Sequence, residues 1–499
     1  MEQDGLDYYF PEFDDINLSA DQLNDTDKPT ARYENDTQYY NSKGVSKGND
    51  YEKATSIFTN LQYKNSNLIV KYSDRKKVIP QSYFGGIFNS KNNYVKDKRY
   101  FIEARTTKKV RENDSIKLRA YYDYYRYLDL IEYNSWYLTA GYPFFHDLGE
   151  NNFYGSEIQY ENNFFENDNI IIGFEFQKHK TEQASWEHTF KGYSGDVDLA
   201  DGSGTTTVQY PLDKQDFNIW NLYLQNYYYP TKNVDLLLGL RYTKNSLYKG
   251  ELSPRAGIIY RVTEKLTSKL LYSTGFRAPT IYERFFDDFT SLTGNDKLGP
   301  ETIKNYEFIV EYMLPFNIRK VISLYYSEVK DIIKQELINY PNYNYAGDNT
   351  AAQFQNTSKI KIKGIEISLE RNTFEKLNGF FNVCYNKTED KITNTELVNS
   401  PKWIGSFGLD YKLSKILTIA MENNYVGKRK DTNGTELKSY LISDIIFTAN
   451  NLIDKFDLTF KVNNLFDKEE RHIVSDDYSP ITSISQPGRN LYLKIDYKF

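Results

Sequence analysis

The chain closes on NLYLKIDYKF, residues 490–499, in which Leu491, Leu493, Ile495, Tyr497 and Phe499 alternate with Asn490, Tyr492, Lys494, Asp496 and Lys498. A period of two places successive side chains on opposite faces of a strand, so one face of this segment is apolar and the other is wet. The same alternation recurs upstream. Phe456, Leu458, Phe460 and Val462 stand against Asp457, Thr459, Lys461 and Asn463, and Trp403, Phe407, Leu409 and Tyr411 stand against Ser406, Asp410 and Lys412. Tyr306, Phe308, Val310 and Tyr312 face away from Asn305, Glu307 and Glu311. About nineteen such segments follow one another from about Thr55 to Phe499, without a convincing helical pattern between them, and the reading is an all-β chain.

The connections carry more information than the count. Short links such as 65–67, 110–114, 166–169, 230–233, 263–265, 314–317, 413–415 and 451–455 alternate strictly with long ones such as 76–96, 128–151, 182–215, 278–301, 335–358 and 466–489. Tight turns on one side and long loops on the other are the rhythm of a transmembrane antiparallel up-and-down β-barrel. Greek-key sandwiches have no reason to keep it, and a solenoid would show a fixed repeat, which is absent.

Composition fits a surface with two solvents. The 499 residues include 46 Tyr and 31 Phe, yet mean hydropathy is -0.68. A water-soluble chain this polar is ordinarily poor in aromatic rings, which need a core. No apolar run of about 18 residues occurs, which excludes a transmembrane helix, whereas a spanning strand needs only about 9–11 residues and leaves average hydropathy low. A net charge of -6, without a basic stripe, argues against nucleic acid as a partner. One cysteine, Cys384, allows neither a disulfide framework nor a cysteine metal site, and no cofactor is implied. No nucleophile elbow, HExxH or phosphate-cradling glycine loop occurs, so an enzyme is not expected. The start, Met1-Glu2-Gln3-Asp4, lacks the basic and apolar regions of a secretory signal.

Counting strands back from a periplasmic Phe499 makes residues 1–54 an extracellular loop region and 55–499 the barrel. An odd number of strands entering from outside cannot complete a bacterial barrel, which implies a missing segment before Met1.

Several segments, spread over nearly the whole chain, resemble the barrel of TonB-dependent outer-membrane receptors. They are SPRAGIIYRVTEKLTSKLLYSTGFRAPTIYERF (253–285) with its FRAP element, LGPETIKNYEF (298–308), KIKGIEISLE (361–370), VNNLFDKEE (462–470) and PGRNLYLKIDYKF (487–499). LDYYFPEFD (6–14) and YSDRKKVIPQSYFGGIFN (72–89) resemble an early loop and strand of a subgroup. The resemblance implies a 22-strand barrel in the outer membrane of a Gram-negative cell, of which roughly the fourth to the last strand are present here. It implies that three strands, the plug, the TonB box and the signal peptide are absent. The cargo so implied is a ferric siderophore or other metal chelate, with cobalamin or haem import and a non-transporting remnant of a broken gene as alternatives. TonB would be met only through the missing plug. The ending Leu493, Ile495, Tyr497, Phe499 resembles the signal read by the outer-membrane assembly machinery, and equally a membrane strand ending on a girdle aromatic.

Candidate ligand contacts are Arg277, Tyr282, Arg284, Trp186 and Tyr142. Arg277 could meet an anionic chelate, or brace the loop after its strand by pairing with a carboxylate; the second reading comes first, since a charge on a lumen wall usually has a neighbour of opposite sign. Tyr142, Phe144, Phe145, Trp186, Tyr282, Phe285 and Phe286 could form a recognition floor or belong to the outer girdle. Pro279 and Pro300 read as strand terminators. Of His146, His179, His188 and His472, three are expected in loops, and the span from Arg277 to Leu298 holds no histidine, where the resemblance implies that a haem receptor would carry one, which demotes haem.

Overall fold

A computed structural model of the chain describes residues 2–3, 8–9, 45–46, 48–79, 90–132, 144–163, 167–188, 207–211, 214–287, 292–340, 349–373, 376–453, 455–473 and 483–497. Nineteen long strands follow one another, each hydrogen-bonded antiparallel to the next. They are β1 (Glu52–Tyr63), β2 (Ser66–Val78), β3 (Tyr94–Arg111), β4 (Asp114–Glu132), β5 (Phe144–Asn162), β6 (Asp168–His188), β7 (Gln215–Thr231), β8 (Val234–Asn245), β9 (Glu251–Thr263) and β10 (Leu266–Arg277). The series continues with β11 (Glu301–Leu314), β12 (Ile318–Asn339), β13 (Thr350–Arg371), β14 (Leu377–Asp390), β15 (Trp403–Lys412), β16 (Leu417–Val426), β17 (Tyr440–Ile453), β18 (Phe456–Asn463) and β19 (Asn490–Tyr497). The all-β reading and the strand number therefore hold. The sheet is not closed: among the described residues no pairing joins β19 to β1, whose outer edge takes only Glu2–Gln3. No described helix is long and apolar enough to cross a membrane.

Two features differ from the sequence reading. Strands reach far into the supposed long loops: β12 and β13 have 22 residues each, roughly 70 Å of chain, whereas lipid takes only about 9–11 residues of a strand. Apolar alternation stops where the lipid stops, but the backbone ladder continues into water, so His146, His179 and His188 lie on strands and His472 on the short strand Arg471–Ile473. The alternation of short and long links also fails once, since only residues 246–250 join β8 to β9. Pro279 and Pro300 do bracket a loop, between the end of β10 and the start of β11.

Register turns the alternation into two continuous faces. Ile258, Leu270, Phe308, Leu324, Ile365, Tyr385 and Trp403 stand directly opposite one another across seven strands, and Tyr272, Tyr306 and Tyr326 form a parallel row of rings nearer the loops. These side chains are outward and, apart from the half-buried Tyr272, Ile365 and Tyr385, exposed: Leu270 is 56% accessible, and on β19 Leu493 and Ile495 are 61% and 63%. The interior shows the reverse. Among the described residues ten apolar side chains are buried against twenty-four polar ones, so the sheet has no apolar core and its stability requires that the outward face meet something other than water.

Glycines on the inner face admit large rings from the neighbouring strand. A Cβ on Gly155 would lie 2.1 Å from the Tyr121 ring, and one on Gly173 would lie 2.1 Å from the Tyr223 ring. Gly155→Ala is expected to cost about 1–3 kcal/mol by overpacking in denaturant unfolding of the vesicle-folded protein. The same change in a Tyr121→Ala background is expected to be close to neutral, because the ring it meets is gone.

Candidate functional site

Two groups of residues are organised beyond what a wall needs. The first lies on the inner face of β3 to β8. Glu175, buried on β6, accepts from the Tyr121 hydroxyl at 2.8 Å, from Asn221 Nδ2 at 3.2 Å and from Arg241 Nη2 at 3.3 Å, with Arg119 Nη1 at 3.8 Å. Arg119 also donates to Glu103 at 2.7 Å and lies over the Tyr121 ring at 4.3 Å. The Tyr223 hydroxyl donates to Glu157 at 2.7 Å. Strand pairing brings these residues together: each sits at an inward position of its strand, and the glycines opposite let the tyrosines lie flat along the wall. The result is a connected polar surface whose charges are matched within it.

Nearer the loops, His179 is stacked between Phe153 and Phe217, with centroid separations of 4.7 Å on both sides, and its Nε2 lies 3.0 Å from Gln177 Oε1. His472 pairs with Glu470 at 2.9 Å. The side chains of His146 and His188 lie outside the described residues.

The second group is the loop after β10. Helix α1 (Ile281–Phe285) begins at a capping box: the Glu283 amide donates to Thr280 Oγ1 at 3.1 Å and the Thr280 amide to Glu283 Oε2 at 2.7 Å. Arg277 fills the bracket between strand and helix. Its guanidinium donates to both oxygens of Glu301, at 2.8 and 2.7 Å, and to both of Glu283, at 3.1 Å each. Glu301 in turn accepts from the Ile333 amide at 2.8 Å, tying the loop to β12. The pairing is the bracing arrangement expected first for this arginine.

Arg284 points inward and is buried, donating to the carbonyls of Leu298, at 2.6 Å, and Asp296. Burial pushes its pKa below the ordinary value. The loop is also bolted to β13. Leu292–Thr293 runs parallel to Ala352–Gln353, Asn295 donates to the Phe354 carbonyl at 2.8 Å, and Asn356 exchanges hydrogen bonds with the backbone of Gly299 at 2.9 and 3.0 Å. Gly294 is required here, since a Cβ would fall 2.6 Å from the Arg284 carbonyl oxygen. Around this frame Phe286 and Leu292 are buried, with Tyr282, Phe285 and Phe354 half-buried against them; the Tyr282 and Phe286 rings stack at 4.6 Å.

Of the five candidate contacts, the structure gathers Arg277, Tyr282 and Arg284 on this one platform. Trp186 lies on β6, its backbone paired with His146 and Gln209 and its side chain outside the described residues, where Tyr142 also lies. Leu493, Ile495 and Tyr497 line the outward edge of β19, and Phe499 lies outside the described residues. Sequence reasoning missed helix α1, although Thr280-Ile-Tyr-Glu283 is a capping-box spelling, and it missed Asn295, Gln353 and Asn356, whose roles depend on contacts across about sixty positions and leave no local signal.

An antiparallel sheet with this in-and-out register and a loop locked behind the β10 strand is matched by the profile of the family described as TonB dependent receptor-like, beta-barrel, over residues 3–465. The chain belongs to the TonB-dependent receptor β-barrel family. Barrels of this family are outer-membrane proteins. Among curated relatives, the heme/hemopexin utilization protein C of Haemophilus influenzae (strain 86-028NP) is 28% identical over 284 residues, 52% of this chain and 39% of that protein. The vitamin B12 transporter BtuB of Vibrio vulnificus (strain YJ016) is 29% identical over 231 residues, 45% of this chain and 34% of that one. The chain thus spans well under half the length of these two relatives. Among solved structures, the siderophore receptor PirA from Acinetobacter baumannii superposes with a TM-score of 0.68 at 18% identity, covering 90% of this chain and 71% of that one, which shows a shared fold.

Proposed function

We propose that this TonB-dependent receptor barrel forms the wall and outer binding face of an importer for a metal chelate, a ferric siderophore in the first place. The supporting observation is the platform on the β10–β11 loop. Arg277 and Arg284 are consumed in holding it, and what it offers is an aromatic cluster around Tyr282 on a frame rigid enough to recognise a planar, amphipathic complex. On this reading the two arginines position the platform and Tyr282 touches the ligand. Contact with TonB would run through a plug and not through the wall. Leu493, Ile495, Tyr497 and Phe499 would serve insertion by the assembly machinery.

Haem import is the second reading, favoured by the similarity to the heme/hemopexin utilization protein. Against it, His179 is held between two phenylalanine rings and His472 against Glu470.

The test is a fluorescence-quenching titration of the folded chain with a ferric tris-catecholate and with haemin. Saturable binding of the catecholate, weakened about tenfold by Tyr282→Ala, as expected for one lost aromatic contact, supports the proposal. Tighter binding of haemin, or indifference to Tyr282→Ala, would move the assignment elsewhere.

A further inference from the structure

Between the turns and the loops, the inward arginines of the wall come with acids. Arg75 pairs with Asp97 at 2.7 Å, Arg119 with Glu103 at 2.7 Å, Arg241 with Glu175 at 3.3 Å, Arg261 with Asp235 at 2.6 Å and Arg319 with Glu311 at 2.6 Å, and Arg99 pairs with Asp123. Arg255, inward and exposed on β9, has no such partner among the described residues. The strands around it supply none. β10 carries no acid at all, and the acids of β8, β6 and β5 are engaged: Asp235 with Arg261, Glu175 with Arg241, and Glu157 with the Tyr223 hydroxyl at 2.7 Å. Glu251 stands four residues away along β9 itself, roughly 13 Å of strand.

The side chain is nonetheless held in place. A Cβ on Gly239, opposite Arg255 on β8, would lie 2.5 Å from its Nε and 2.7 Å from its Cγ, so the arginine lies flat over that glycine. With Arg241, Ser253, Ser273, Tyr223 and Gln225 it lines a hollow of about 480 Å³ in the inner wall, to which Glu157 adds one carboxylate. Donors outnumber acceptors in such a lining, and a planar guanidinium takes a carboxylate through two parallel hydrogen bonds. Ser273, opposite Arg255 on β10, is four residues from Arg277, so the hollow sits roughly 13 Å from the platform toward the turns, on the strand that carries the platform.

We propose that this hollow is an anion subsite inward of the platform, and that Arg255 receives a carboxylate group of the chelate there. The proposal rests on the reading that the barrel passes metal chelates. Three features of the wall carry it. The charge of Arg255 is uncompensated, so an incoming anion displaces no ion pair already made. Its seat on Gly239 fixes the guanidinium in advance of binding, which lowers the cost of ordering it. The hydroxyls of Ser253 and Ser273 beside it donate to the remaining carboxylate oxygens.

The experiment is a ligand-observed NMR titration of the full chain, folded in detergent, with propane-1,2,3-tricarboxylate, with its neutral trimethyl ester and with a capped tripeptide carrying one aspartate. The tricarboxylate is expected to bind saturably and about tenfold more tightly than the ester or the peptide, as one charge-assisted contact gives. Arg255→Gln is expected to bring the tricarboxylate down to the level of the ester. Gly239→Ala, which keeps the charge but removes its seat, is expected to weaken binding about threefold. Should that variant fail to fold, Arg255→Gln decides, because the side chain it changes is exposed. Tyr282→Ala is expected to leave the tricarboxylate titration unchanged, so failure of the platform and failure of the subsite are separate results. Equal affinity for tricarboxylate and ester, indifference to Arg255→Gln, or loss of binding in Tyr282→Ala overturns the subsite. A peptide that binds as tightly as the tricarboxylate overturns it too, by assigning Arg255 to a carboxylate of a polypeptide in the lumen.

Discussion

Leu224→Arg is expected to destabilise the vesicle-folded protein by about 2–4 kcal/mol, while Gln225→Arg, one residue along, stays within about 0.5 kcal/mol of wild type. Leu224 is outward on β7, opposite Leu240 and Ile172 and 48% exposed; Trp220 and Tyr228 lie on the same face on either side of it, so it sits near the middle of the apolar band. A guanidinium there must leave water for hydrocarbon without a partner. Gln225 is inward, in the same hollow of the inner wall as Glu157, Arg241 and Arg255, where an added guanidinium stays in a polar surrounding with both a carboxylate and cations nearby. The measurement is the urea midpoint and slope for each variant. Equal costs at the two positions would mean that the faces do not see different solvents.

Glu175→Ala is expected to be the most damaging single change on the inner wall, costing about 3 kcal/mol. Glu175 is 7% exposed and collects hydrogen bonds from Tyr121, Asn221 and Arg241. Its loss takes from Arg241 its paired carboxylate and from the Tyr121 hydroxyl its 2.8 Å acceptor, in a slot that Gly155 keeps open, while Arg119 retains Glu103. The arginine side chains are 36% and 47% exposed, so water screens them and the cost falls at the low end of what breaking a buried pair brings. Glu175→Gln, which keeps an acceptor for Tyr121, is expected to cost less. Parallel urea titrations order the three proteins; an alanine variant as stable as wild type would show that the network contributes nothing.

The membrane-facing part of this fold was readable because lipid writes on sequence at every second residue. Ile258, Leu270, Phe308 and Leu324 are apolar for the same reason, and each stands in a strand whose neighbours in sequence are Arg, Lys, Glu or Ser often enough to reveal the period. Above the lipid that signal ends. Residues 333–339 and 350–356 pair as regularly as any others, but both of their faces are wet, and their alternation vanishes into what looks like loop. The candidate site was half legible. Arg277 announced itself as a lone cation at a strand end, and its need for a carboxylate could be argued, but which carboxylates answered, Glu283 and Glu301, depended on helix α1 and on the bulge where Asp331 takes a φ of 57°. Arg284 read as a ligand contact because sequence cannot distinguish a surface arginine from one that has turned inward to hold two carbonyls.

Neighbouring residues on each strand meet lipid and water in turn. Site-directed spin labels at Leu222, Tyr223, Leu224 and Gln225, placed in a Cys384→Ser background in vesicles, test it through their collision rates with oxygen and with a polar nickel complex. Oxygen access should be high at Leu222 and Leu224, and nickel access high at Tyr223 and Gln225. A smooth profile across the four positions, or nickel access at all of them, would contradict it.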